Sequence, residues 1–298
     1  MKQIILKDGG TGQELIARSS MPPHPLWSAK VMMEESHIVQ SVHADFIRAG
    51  ARMITLNTYA STPERLAREG VPELFKSLQA KAIELVRAAR DEVGVEGVRI
   101  AGCLPPLHGS YRPDMSKSHD DLLPLYREIV AEQAEACDII LCETLSAISE
   151  VTAATQAAVE TGLPTWVAMT LSDDQSGTLR SGESLDAALD ALEGMGHAGV
   201  MLNCSKPEVI SANLPALLKR DKPVGAYANG FTGIDALEIG GTVTELKARK
   251  DLTPEAYADF AMGWVDEGIT FTGGCCEVGP AHIAELARRL TADGYRVV

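Results

Sequence analysis

Eight short apolar segments recur along the chain with helical patterns between them, and this alternation constrains the fold more than any other feature. They are IILKDGG (4–10), MITLNTY (53–59), VRIAGCL (98–104), DIILCET (138–144), TWVAMTL (165–171), AGVMLNC (198–204), PVGAYAN (223–229) and ITFTGGC (269–275). Buried parallel strands read this way, apolar on both faces over roughly four to eight residues. Between the first two, Val31, Ile38, Val42, Phe46 and Ile47 form one stripe of a helix predicted over 31–49, which Gly50 stops. Helices are also expected over 71–92, 121–136, 147–161, 184–195, 254–267 and 280–291, with Pro254 and Pro280 suited to first turns. Eight strands alternating with helices predict an α/β fold, a (β/α)8 TIM barrel, over an open doubly wound sheet. No linker or low-complexity stretch interrupts the pattern, so residues 1–298 are expected to form one domain. The segment 230–252 is the longest insertion, and its glycines suggest a surface excursion.

Composition excludes several classes of partner. The formal charge is 27 − 41 = −14, which disfavours nucleic acid and anionic membrane. No apolar run approaches a membrane span, and the apolar stretch before Lys7 is too short for a signal peptide. Six cysteines without a secretion signal suggest a reducing compartment, so a cytoplasmic location is expected.

A barrel gathers its chemistry at the C-terminal ends of its strands. Those ends carry Asp8, then Asn57-Thr58-Tyr59, Glu143, Asn203-Cys204 and Cys275-Cys276. The adjacent pair Cys275-Cys276 is a poor intrachain disulfide, because neighbouring Cα atoms sit about 3.8 Å apart. Three cysteines from two strands separated by one neighbour can instead surround an ion. Zinc in catalytic sites commonly takes three protein ligands and keeps one position open. Cys204, Cys275 and Cys276 match that need, and the Gly-Gly before the pair suggests a close backbone approach to a ligand. Cys103 should lie across the mouth; it, Cys137 and Cys142 read as small apolar fillers. A fourth thiol is the natural guest of a three-thiolate zinc, which points to alkyl transfer onto a substrate thiol. His24, His108 and His119 show no metal-ligand spacing and read as solvated loop residues. GGTGQEL is a weak match to a dinucleotide fingerprint, because Leu15 stands at the third glycine position.

The motifs DGGTGQEL, LWSAKVMMEESHIVQSVHADFIRAGARMITLNTYAST, CETLSAISE, LNCS and GGCCEVGPAHI together resemble the zinc-dependent homocysteine S-methyltransferase family. The resemblance runs through nearly the whole chain. It implies a (β/α)8 barrel and a zinc-bound homocysteine thiolate that takes a methyl group to give methionine. By motif, the family's zinc ligands fall on Cys204, Cys275 and Cys276. Its acids for the homocysteine amino group fall on Asp8 and Glu143. The backbone N–H groups of Gly9, Gly10 and Thr11 are expected to receive the amino-acid carboxylate as an anion nest.

Trp27 and Tyr59 match aromatics that surround the quaternary ammonium in the betaine-using branch, and cation–π attraction suits any onium donor. That branch has a further aromatic after the strand-four acid, where this chain has Thr144. LWSAKV and CETL look more like the branch using S-methylmethionine or S-adenosylmethionine. The alternatives are betaine as donor, a selenol or other thiol as acceptor, and a non-catalytic zinc-binding or redox-sensing barrel.

Overall fold

A computed structural model of the chain describes residues 2–234, 236–237, 242 and 245–298. Strands β1 (Gln3–Leu6), β2 (Met53–Thr55), β3 (Arg99–Leu104), β4 (Ile139–Leu145), β5 (Thr165–Met169), β6 (Gly199–Asn203), β7 (Val224–Tyr227) and β8 (Phe271–Thr272) run parallel. The sheet runs in order from β2 to β8 and on to β1. Closure between β1 and β2 rests on one bridge, Lys7 opposite Met53. Around it the Asp8 N–H donates to Met53 O at 2.9 Å and the Arg52 N–H to Leu6 O at 2.8 Å. The α/β fold is therefore the expected (β/α)8 barrel, with one addition. A ninth strand, β9 (Arg296–Val297), pairs with Gln3 and Ile4 at the N-terminal end of β1.

The helices are α1 (Thr11–Arg18), α2 (Trp27–Glu34), α3 (Ser36–Arg48), α4 (Pro63–Arg68), α5 (Phe75–Val93) and α6 (His119–Gln133). Then follow α7 (Ile148–Val159), α8 (Leu185–Ala191), α9 (Pro207–Leu218), α10 (Pro254–Glu267) and α11 (Pro280–Ala292). The single helix expected over 31–49 is two. Glu35 leaves the helical region at φ −129, ψ 48, and its carboxylate accepts from the hydroxyls of Ser19 and Ser20. These bonds fix the corner after α2, whose Trp27 ring packs against Gly12 of α1.

Two apolar layers hold the barrel. Inside it, Met53, Ala101, Ile139, Leu141, Trp166, Met201, Tyr227 and Phe271 form a separate core. Trp166 meets Phe271 edge to face at 4.9 Å between centroids, and Gly199 leaves room for the indole. The larger layer lies between strands and helices, where the helical stripes bury Val42, Phe46, Leu85, Val151, Ile210 and Leu286. Truncating a buried leucine such as Leu141 to alanine would cost about 2–5 kcal/mol. The barrel floor is thus solid, and the open end is left for chemistry. Among the described residues no helix is long and apolar enough to cross a membrane.

Candidate active site

The C-terminal ends of the strands surround one cavity with Cys204, Cys275 and Cys276 on its wall. Cys204 follows β6 at φ 46, a left-handed conformation that costs energy for a residue with a Cβ. Its carbonyl holds the turn in place, accepting from Asn229 Nδ2 at 2.8 Å and from Thr170 Oγ1 at 3.1 Å. The turn carries Sγ to 2.6 Å from Cys275 Sγ and 4.0 Å from Cys276 Sγ. All three sulfurs lie within 4.8 Å of one another. Zinc–sulfur bonds of about 2.3 Å in tetrahedral array place sulfurs about 3.8 Å apart, so this donor set fits zinc after a small spreading. Burial works to raise the Cys204 thiol, but donation from Cys275, Cys276 and Tyr111 outweighs it and brings the thiol well below its ordinary value.

The glycines have a structural task. A Cβ on Gly9 would strike Val278 O, and one on Gly10 would lie 2.5 Å from Cys275 O. A Cβ on Gly273 would come within 3.0 Å of Asp8 O. The DGG and GGCC motifs thus let the ends of β1 and β8 approach backbone to backbone. Gly273 and Gly274 approach β1 closely, and Gly274 also lines the cavity.

Glu143 lines the cavity at the end of β4, accepting from Cys103 Sγ at Oε1 and from Tyr227 OH at Oε2, both at 3.1 Å. Burial raises its carboxyl above the ordinary value, against the pull of nearby Lys7. The next residue, Thr144, sits at φ 63, unusual for a β-branched side chain. Asn203 holds it there, accepting from the Thr144 N–H at 3.0 Å and donating to Oγ1 at 2.9 Å. The register shift between Cys142 and Leu145 accompanies this kink.

Asp8 is fully buried and is not on the cavity wall; Lys7 is. The Asp8 carboxylate accepts from Thr55 N–H at 2.9 Å and from Thr55 Oγ1 at 3.1 Å, and it pairs with Lys7 Nζ at 3.1 Å. Lys7 also donates to Gly274 O and lies 4.6 Å from the centre of the Tyr227 ring. Burial works to lower the Lys7 ammonium, but Asp8, Glu143 and Cys275 outweigh it and hold it above its ordinary value. The nest expected at Gly9, Gly10 and Thr11 is not formed as drawn from sequence. Gly10 N–H donates to Val278 O and Thr11 N–H to Gly9 O. All three residues line the cavity, and the buried Thr11 hydroxyl has no partner among the described residues.

Trp27 and Tyr59 face the same cavity, edge to face at 6.0 Å. Trp27 Nε1 donates to Gln13 Oε1 at 3.1 Å, and Tyr59 OH bonds to Ser110 Oγ at 2.9 Å. One face of Tyr59 is occupied by the Arg65 guanidinium at 5.3 Å.

Sequence reading missed Tyr111, whose hydroxyl lies 2.9 Å from Cys204 Sγ and whose ring stacks with Arg180 at 4.9 Å. It stands in the irregular loop after β3, where no periodicity marks it; positive φ at a tyrosine (59) is visible only in the fold. His119 is a correction: it begins α6, half-buried, bonded to Thr152 at 2.9 Å and Gln156 at 3.0 Å. The 230–252 insertion is also more than a surface excursion. Phe231, Ile234 and Leu246 are buried and pack against Tyr111 and Cys276. Its Gly240 and Gly241, on which that expectation leaned, lie outside the described residues.

Fold and site together define a (β/α)8-barrel enzyme whose cavity ends on three convergent thiols able to hold a metal ion. The profile described as Homocysteine S-methyltransferase matches residues 5–290, so the chain belongs to that family of methyltransferases. It is 30% identical to the homocysteine S-methyltransferase of Escherichia coli, over 97% of this chain and 96% of that protein. The solved structure of Escherichia coli homocysteine methyltransferase MmuM in its metallated form superposes with a TM-score of 0.79 at 30% identity, covering 97% of both chains. The apo form of that protein gives 0.70 at 26% identity, covering 97% of this chain and 96% of that one.

Proposed function

We propose that this enzyme moves a methyl group from an onium donor, S-methylmethionine or S-adenosylmethionine, to the thiol of homocysteine, giving methionine. The observation that carries this reading is the convergence of Cys204, Cys275 and Cys276 on one wall of the cavity. The likeness to the Escherichia coli homocysteine methyltransferase, which has been solved in a metallated form, supports a metal there. Cys204, Cys275 and Cys276 would hold the zinc, which when bound would make a substrate thiol more acidic.

The protein's own groups then place the reactants. Glu143, facing the cavity, takes the acceptor's ammonium, and Asp8 backs it by holding Lys7 and the end of β1 in register. The Thr11 hydroxyl is the donor offered to the acceptor's carboxylate. Trp27 and the face of Tyr59 away from Arg65 flank the onium. The acceptor sulfur attacks the methyl carbon in line. The bond to the donor sulfur breaks, its electron pair stays with that sulfur, and the thiol proton passes to solvent. Reduced thiols at the site suit a cytoplasmic enzyme.

Serine substitution at each cysteine tests the reading. Each variant should retain under about a tenth of the wild-type zinc and lose at least about 100-fold in methionine formation. A serine variant that keeps full turnover without zinc would refute it.

A further inference from the structure

The cavity wall holds a cation that the scheme above does not use. Arg65, on α4, lines the cavity, and its Nε is buried without a hydrogen-bond partner among the described residues. Nη2 is fixed, donating to Pro106 O at 3.0 Å and Ser110 Oγ at 3.2 Å, while the Tyr59 ring supports the guanidinium face at 5.3 Å. Among the described residues no carboxylate lies within ion-pair distance of Arg65 or of Arg68, which stands one turn on and also lines the cavity. Arg112 on the same wall is paired with Asp114. A chain of net charge −14 has carboxylates to spare, yet among the described residues none is ion-paired with this buried cation. An unpaired, partly desolvated guanidinium is costly, and a bidentate carboxylate is the ligand that matches its fork.

The position identifies which substrate would bring that carboxylate. Ser110 touches Arg65, and the adjacent Tyr111 touches Cys204 Sγ. Arg65 therefore lies along the same stretch of wall as the thiol cluster, one loop residue away from the Tyr111–Cys204 contact and against the Tyr59 ring. The acceptor must place its sulfur at the thiols, deep in the site. The donor must place its onium between the thiols and the aromatics, so the rest of the donor runs past Tyr59 toward Arg65. We propose that Arg65 is a specificity-determining residue that binds the carboxylate of a zwitterionic methyl donor. This rests on the methyltransferase reading above and deepens it: the cavity carries thiols at one point and a guanidinium at another, and it orients an amino-acid-type onium between them.

The test is binding, so that it does not depend on turnover. S-methylmethionine and its carboxamide are titrated by calorimetry into zinc-loaded wild type, Arg65→Lys and Arg65→Met, without a thiol acceptor. The acid should bind wild type at least about 10-fold tighter than the amide, matching the range for a charge-assisted bond. Arg65→Met should bring that ratio close to one, and Arg65→Lys should retain part of it. If Arg65 only braces the loop at Pro106 and Ser110, acid and amide weaken together and the ratio survives in Arg65→Met, which overturns the proposal. A ratio near one in wild type also overturns it. Methionine formation from homocysteine is followed separately, and its absence would sink the function reading while leaving the ratio to judge Arg65.

Discussion

At the scale of single residues, Glu143 is where burial and function meet. Its carboxyl is held in an apolar wall, raised by that burial, and kept in place by donors from Cys103 and Tyr227. Lys7 is already shared with Asp8, so an incoming ammonium adds opposite charge at Glu143, and the contact strengthens as the substrate excludes water. Replacing it by glutamine keeps the shape and removes the charge. Glu143→Gln should raise KM for homocysteine by about 10- to 100-fold, the worth of one charged hydrogen bond, and leave donor KM nearly unchanged. Steady-state kinetics with each substrate varied separately checks this, and a larger effect on the donor would reassign the residue. The motifs made Glu143 and the three cysteines legible, because strand-end position and residue type both pointed to the mouth. They could not reveal that Asp8 would be turned away from the cavity and neutralised by its own neighbour Lys7. A lysine in an apolar run reads as a strand end, and only the closure of β1 against β8 shows where its ammonium goes.

At the scale of elements, two strand ends leave ordinary geometry together. Thr144 after Glu143 and Cys204 after Asn203 both have positive φ, and the Asn203 side chain ties the first to the strand carrying the second. One residue thus coordinates the aim of the acid on β4 and the thiol after β6. Asn203→Ala removes both bonds inside the barrel and should lower stability by about 1–3 kcal/mol. Adding Thr144→Gly, which tolerates positive φ, should cost less in that background than alone, because the bond it breaks is already gone. Thermal melts of the two single variants and the double close the cycle; strict additivity would show that the two residues act independently. The sequence placed all eight strands because fully buried strands carry continuous apolar runs. It placed fewer helices: α1, α4 and α9 were not assigned individually. The first two span eight and six residues, and the third carries Pro215, so none shows a long clean period. The split between α2 and α3 depends on Glu35 meeting Ser19 and Ser20 across a loop, a contact no local pattern encodes.

At the scale of the whole molecule, acid stability is set by groups that folding buries in one protonation state. His43 in α3 is fully buried, and neither ring nitrogen has a partner among the described residues. Burial drives its pKa from the ordinary 6.5 down to about 4, with the field of Asp8 pulling weakly the other way. The folded protein therefore keeps His43 neutral between those values while the unfolded chain protonates it. Protons bind the unfolded state more strongly, so stability is complete above pH 6.5 and falls as pH drops toward 4. The loss amounts to about 2 kcal/mol at pH 5 and approaches about 3 kcal/mol below pH 4. Glu143 and Glu150 work in the opposite sense, since burial raises both and their charged forms are the ones disfavoured in the fold. The difference between wild type and a His43→Leu variant isolates the histidine from them. That variant replaces a partnerless ring by an apolar side chain, so wild type should lose about 3 °C more of its melting temperature than the variant between pH 7 and pH 5. Parallel curves for the two proteins would mean that His43 reaches solvent or a donor in the folded state, and the helix packing behind Asp8 would have to be looser than drawn here.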